Sequence, residues 1–204
     1  MAFAAASQNS EALKGNILCF AAMAFFAVGF PAVEFLLDSW GVLALITARM
    51  TLGGLILIIV WRLIEGAKAV TSAHWRSGIF VGALGFGIGA TLLLLGQAMS
   101  DPVTTAIVAA MSPIAGAIYE FFLDRRTASL RLIIGVILSI SGGLIAVGPA
   151  LLTGEAGLGA LVCLAAVFVY VCGTRASNQR MSGDSALARA SVTTLGAALI
   201  CLIA

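Results

Sequence analysis

Charge is scarce in this chain: Asp, Glu, Lys and Arg make up 10% of 204 residues, against about 25% in an ordinary soluble domain. With 61% hydrophobic residues and a mean hydropathy of +1.12, the chain cannot present a surface that water accepts. Soluble enzymes and nucleic-acid binders are excluded, and the solvent is a lipid bilayer. Histidine occurs once, at His74, and no Cys, His, Asp and Glu cluster has metal-ligand spacing, so neither a metal nor a cofactor is expected. The apolar runs hold no nucleophile beside a base and no paired-acid motif, so no catalytic residue is assigned and the chain reads as no enzyme. Lysine occurs only at Lys14 and Lys68, which excludes a retinal photoreceptor, whose chemistry needs a lysine in the last span. The four cysteines, Cys19, Cys163, Cys172 and Cys201, sit inside apolar runs where no disulfide framework is expected. A secretory start is lacking as well: residues 1–14 are Ala-rich, contain Glu11 and read as a retained tail.

What the chain has is long apolar runs. A helix needs about 20 apolar residues to cross roughly 30 Å of hydrocarbon. Such runs extend over Gly15 to Leu37, Val42 to Ile64, Gly78 to Met99, Val103 to Leu123, Leu132 to Leu152 and Leu158 to about Thr174, and a seventh begins near Ala186. The fold class is therefore all-α, a polytopic transmembrane bundle. Every Lys and Arg except Arg49 falls in the N-terminal tail or in the second-to-third, fourth-to-fifth and sixth-to-seventh connections. The alternate connections carry only acids such as Asp38, Asp101 and Glu155. Basic residues stay on the cytoplasmic side, which predicts a multi-pass protein of the cytoplasmic membrane with its N-terminus inside.

An internal repeat accompanies this pattern. At an offset of 144, Gly15, Cys19, Ala21, Ala22 and Gly29 meet Gly159, Cys163, Ala165, Ala166 and Gly173, and Phe26 faces Tyr170. With one residue of slippage, Thr51-Leu52-Gly53 meets Thr194-Leu195-Gly196. Five spans between the copies invert the second relative to the first, the plan of secondary transporters with a substrate path between the units. The expected organisation is a tail at 1–14, a five-helix unit at 15–154 and the start of a second, inverted unit at 155–204. The repeat predicts ten spans in a complete chain, with the present sequence ending inside its seventh.

Several intramembrane residues admit two readings each. Gly78, Gly82, Gly85, Gly89 and Gly96 share one helical ridge, which serves tight packing or lines a path. Asp101-Pro102 is a cap with a first-turn proline; Pro113, about 16 Å further along, frees the carbonyl of Ala109. A neighbouring helix satisfies that carbonyl, or Ser112 and Pro113 form a wall of a polar cavity. Gly29-Phe30-Pro31 is a weak point of the first span, with Phe26, Phe30 and Glu34 at i, i+4 spacing for packing or for flanking an organic substrate. Tyr170 and Thr174 stand opposite them in the repeat. Arg49 is the one cation deep inside a span, and an unpaired one costs about 2.5 kcal/mol or more at the bilayer centre. Glu34 is its expected partner and Asp38 the next, for a structural pair or loop anchor or for holding a substrate carboxylate or gating. Glu34 and Glu120 are the only acids within spans, hence the candidates for proton coupling as against substrate exchange; interfacial solvation is their other reading.

Gly29-Phe30, Ala48-Arg49-Met50, Gly96-Gln97-Ala98, Ser112-Pro113 and the stretch from Gly135 to Gly148, in that order, resemble the EamA-like members of the drug/metabolite transporter superfamily. Asp124-Arg125 stands where that family commonly has Gly-Glu-Arg. The resemblance implies ten helices in two inverted five-helix repeats and an alternating-access transporter, often an exporter, of amino acids, metabolites or drugs. The expected substrate-binding set is Phe26, Phe30, Glu34, Arg49, Gln97, Ser112, Pro113, Tyr170 and Thr174, with a small-molecule substrate and the bilayer as partners. The rival reading is a non-transporting membrane scaffold or an inactive, truncated transporter.

Overall fold

Lipid offers no partner for a backbone amide, so an apolar run of spanning length satisfies its own donors by coiling into a helix. The computed structural model describes residues 2–124, 130, 133–138, 140–142, 145 and 157–203, and the regular elements among them are helical. They are α1 (Ala2–Leu37), α2 (Val42–Ser72), α3 (Trp75–Val81), a π-helical segment (Gly82–Gly87), α4 (Ile88–Ala98), α5 (Pro102–Ala110), α6 (Ser112–Asp124), α7 (Gly157–Arg180) and α8 (Ala186–Ile203). Six stretches among the described residues are long and apolar enough to span a membrane; α3, the π segment and α4 make one, and α5 with most of α6 another. The expected fifth span, Leu132 to Leu152, lies largely outside the described residues.

Three boundaries differ from expectation for identifiable reasons. The Ala-rich start is helical from Ala2 and continuous with the first span, as the high helix propensity of alanine favours. The second span runs on to Ser72 and is broken at Gly66, whose φ of 83° lies in the left-handed region that glycine enters without a Cβ penalty. The sixth continues past Thr174 to Arg180, so its polar end is helix and not loop.

Helices attract one another in lipid through close van der Waals contact, which small residues permit. A Cβ on Gly85 would stand 2.5 Å from the Cα of Gly173, and one on Gly96 would collide with the Cys163 sulfur and lie 2.8 Å from the Gly159 carbonyl oxygen. The glycine ridge of the third span therefore meets α7. It does so only in part: Gly78 faces Val192 and Gly82 the backbone of Thr193, both on α8. The π segment, with its wider turn, divides the ridge between two neighbours.

α2 and α8 pack in opposite directions. Near one end of α2 the Thr47 hydroxyl donates to the Cys201 carbonyl (2.8 Å), while near the other Trp61 is fully buried against Met181, Ala188 and Val192.

Polar groups close both ends. Asp101 caps α5, its carboxylate accepting from the Val103 and Thr104 amides (2.8 and 2.9 Å) and the Thr104 hydroxyl (2.5 Å). Burial raises its pKa, but these hydrogen bonds outweigh that and hold the carboxyl below its ordinary value. At the basic end, Ser185 accepts from the Ala188 amide (3.0 Å) and donates to Glu65 (2.9 Å), which also accepts the Trp61 indole N–H (3.1 Å). His74 lies beside Asp184, with ring and backbone nitrogens at 2.9 and 3.2 Å, tying the α2–α3 turn to the α7–α8 turn.

Candidate functional site

Aromatic spacing on α1 determines the first wall of the site. Phe26 and Phe30, one turn apart, meet edge to face with ring centroids 5.2 Å apart. Gln97, at the far end of α4 and only 3% exposed, donates its amide to the Phe30 carbonyl (2.8 Å) and reaches a Glu34 carboxylate oxygen at 3.5 Å. Phe26, Phe30, Arg49, Gln97 and Tyr170 together enclose a space of about 30 Å³.

The expected Arg49–Glu34 ion pair does not form. The Arg49 guanidinium lies 3.8 Å from the position of a Cβ on Gly29, and Glu34 is five residues or roughly 7.5 Å further along α1. There the carboxylate meets the Gln97 amide instead.

The second wall is a broken span. α5 ends at Ala110, Met111 turns with φ −79° and ψ 0°, and α6 resumes at Ser112. Pro113 has no amide hydrogen for the Ala109 carbonyl, and the Ser112 hydroxyl donates to that oxygen. The freed acceptor is thus satisfied within its own span, by a residue that also faces a cavity.

That cavity measures about 1000 Å³ and lies between α6 and α7, with Met23 of α1 at its edge. Ser112, Pro113, Tyr119 and Glu120 line one side, and Thr174, Arg175, Asn178 and Gln179 the other. It adjoins an apolar pocket of about 470 Å³ lined by Phe26, Phe30, Ser112, Tyr170 and Thr174, among others, and the two share Met23, Ser112 and Thr174. The pocket in turn shares Phe26, Phe30 and Tyr170 with the small space around Arg49 and Gln97. Eight of the nine expected residues line these three neighbouring spaces, and Glu34 reaches them through Gln97.

Sequence reasoning missed most of the wide mouth. Tyr119, Arg175, Asn178 and Gln179 line it, with the Arg175 guanidinium over the Tyr119 ring at 5.1 Å. The signal was available: Thr174, Arg175, Asn178 and Gln179 recur at i, i+1, i+4 and i+5, a helical stripe hidden by reading the basic stretch as a connection. Arg125, five residues beyond Glu120 in the sequence, lies outside the described residues.

The lining changes from Glu120 and Arg175 in the largest of these spaces, through the rings of Phe26, Phe30 and Tyr170, to a small, mostly apolar space that holds Arg49 and Gln97. No curated protein and no solved structure matches the chain. Residues 13–148, more than half of it, match the EamA-like transporter family, and together with its membrane-spanning helices this match establishes that the chain belongs to that family of membrane transporters.

Proposed function

We propose that the chain is a secondary transporter that exports a small metabolite, amino acid or drug-like compound across the cytoplasmic membrane by alternating access, with its N-terminus inside. The observation that supports this most is the set of neighbouring cavities lined by Phe26, Phe30, Arg49, Gln97, Ser112, Pro113, Tyr170 and Thr174. It is walled by a broken span, the type of element that forms transporter sites. In this reading residues 15–154 are one repeat and residues 155–204 begin its inverted counterpart. The cleft is wide at the basic end and narrows to the contact of Gln97 with Phe30, so the geometry favours a state open to the inside and closed outside.

Proteoliposomes containing the protein, loaded with a panel of amino acids, metabolites and drugs, test the proposal. At least one compound is expected to move. Ser112→Trp, which fills the cleft, is expected to reduce that flux by roughly a factor of ten or more without preventing insertion. An imposed pH gradient separates proton coupling through Glu34 or Glu120 from substrate exchange. Folded, inserted protein that moves no compound would leave the scaffold reading standing.

A further inference from the structure

A second concavity lies on a different face of α7, between that helix and the α3–π stretch. It measures about 350 Å³, and its walls include Phe80, Leu84, Phe168, Cys172, Ala176 and Arg180. On α7 the last four recur at every fourth residue, a straight stripe of roughly 18 Å. That length is about the depth of one leaflet of a ~30 Å hydrocarbon core. Backbone forms the floor, because Gly85 and Gly173 touch there. The slot is apolar along its whole length except at the basic end of the bundle. At that end the Arg180 guanidinium is held over the Phe80 ring at 5.5 Å, and Arg76, exposed, lies one turn before Phe80 on α3.

Arg180 also sits in the last turn of α7, where a cation is favoured by the helix dipole. That accounts for a positive residue but not for a leaflet-deep slot beneath it. An apolar channel that ends at the Arg180 guanidinium, with exposed Arg76 one turn before Phe80 on the neighbouring helix, is the complement of a molecule with a hydrocarbon chain and a phosphate: the chain fills the slot, and the phosphate takes charge-assisted hydrogen bonds at its mouth. We infer that this groove binds one anionic phospholipid, its phosphate on Arg180 and Arg76 and an acyl chain along Phe168, Cys172 and Ala176. The site is separate from the transport cleft and does not depend on what is transported.

The test is made on the full chain, purified in neutral detergent and titrated with phosphatidylglycerol or phosphatidylcholine of identical acyl chains, the bound lipid being counted by native mass spectrometry. Retention of one phosphatidylglycerol in preference to phosphatidylcholine is expected. Arg180→Gln is expected to weaken it about fivefold and Arg76→Gln with Arg180→Gln about 25-fold, while Arg180→Lys keeps most of it. Ala176→Phe, which blocks the slot, is expected to abolish retention with both arginines in place. Because Arg180 and Arg76 are exposed, their variants should unfold at the same temperature as the parent, so the result is readable even if Ala176→Phe misfolds. Equal retention of the two lipids, or indifference to Arg180→Gln, would overturn the inference. So would displacement of the lipid by inorganic phosphate alone, which indicates a simple anion site, or a dimer that forms in place of the lipid complex.

Discussion

Gly15 and Cys19 of α1 align at an offset of 144 with Gly159 and Cys163 of α7, yet a Cβ on Gly159 would lie within 3 Å of Ser100, Gly96 and Met99, whereas no described residue comes within 4 Å of one on Gly15. Cys163 is fully buried and Cys19 exposed. Only 6% of the apolar stretch of the first span is buried, against 28% for the sixth. The two helices carry one pattern of small residues and differ in what stands opposite. Facing α7 are Gly85, Gly89 and Gly96 of the third span; among the described residues α1 has no such ridge against it and is joined to α4 through the Gln97–Phe30 hydrogen bond. A small-residue pattern thus identifies the face a helix offers, and occupation of that face depends on a second ridge.

The sharpest way to break this comparison is to add the same side chain on both helices. Gly159→Leu meets backbone that cannot yield, and is expected to destabilise the protein by about 3 kcal/mol or more. Gly15→Leu meets open space and is expected to stabilise by about 0.5–1 kcal/mol through helix propensity alone. Thermal unfolding in detergent reads both, and equal effects would show that the faces are not differently occupied.

A smaller effect is expected from the helix that reaches Cys163 from the other side. Asp101 caps α5, whose Thr105 hydroxyl oxygen lies 3.6 Å from the Cys163 sulfur. Asp101→Ala is expected to cost about 1 kcal/mol. Its carboxyl pKa is lowered in the fold, so the stabilisation is complete above the ordinary carboxylate value and is lost as pH falls through the lower folded one. An unfolding series between neutral and acid pH should therefore show a smaller acid loss in Asp101→Ala than in the parent.

The smallest effect concerns how α1 is held. With Arg49 against Gly29 and Glu34 against Gln97, Arg49→Ala and Glu34→Ala should be additive, with a coupling within about 0.5 kcal/mol. A double-mutant cycle of unfolding free energies that gives a larger coupling would restore the ion pair.

Much of this architecture was legible in the sequence. The length of uncharged runs located the described spans, and the Gly78 to Gly96 spacing announced a closely approached ridge. The sequence could not say that the ridge has two partners, because the π segment rotates its lower half and no side-chain periodicity records that turn. Nor could it choose between neighbour and cavity for the Ala109 carbonyl, since the answer depends on one rotamer of Ser112. Arg49 and Glu34 looked paired because only their depth was readable; the level at which Arg49 of α2 meets α1, beside Gly29, was not. The mouth residues of α7 were hidden by a boundary drawn at the first arginine. Charge in a membrane protein often marks the helix end that emerges from lipid, with several polar residues still on its coil.

One consequence follows from the bond between Ser112 and Ala109. That bond crosses the joint at Met111, tying the first residue of α6 to the last turn of α5, so the donor for the freed carbonyl comes from the broken span itself. A swing at this joint would pull the hydroxyl from its acceptor, so the angle of the break is held by that one bond as well as by packing.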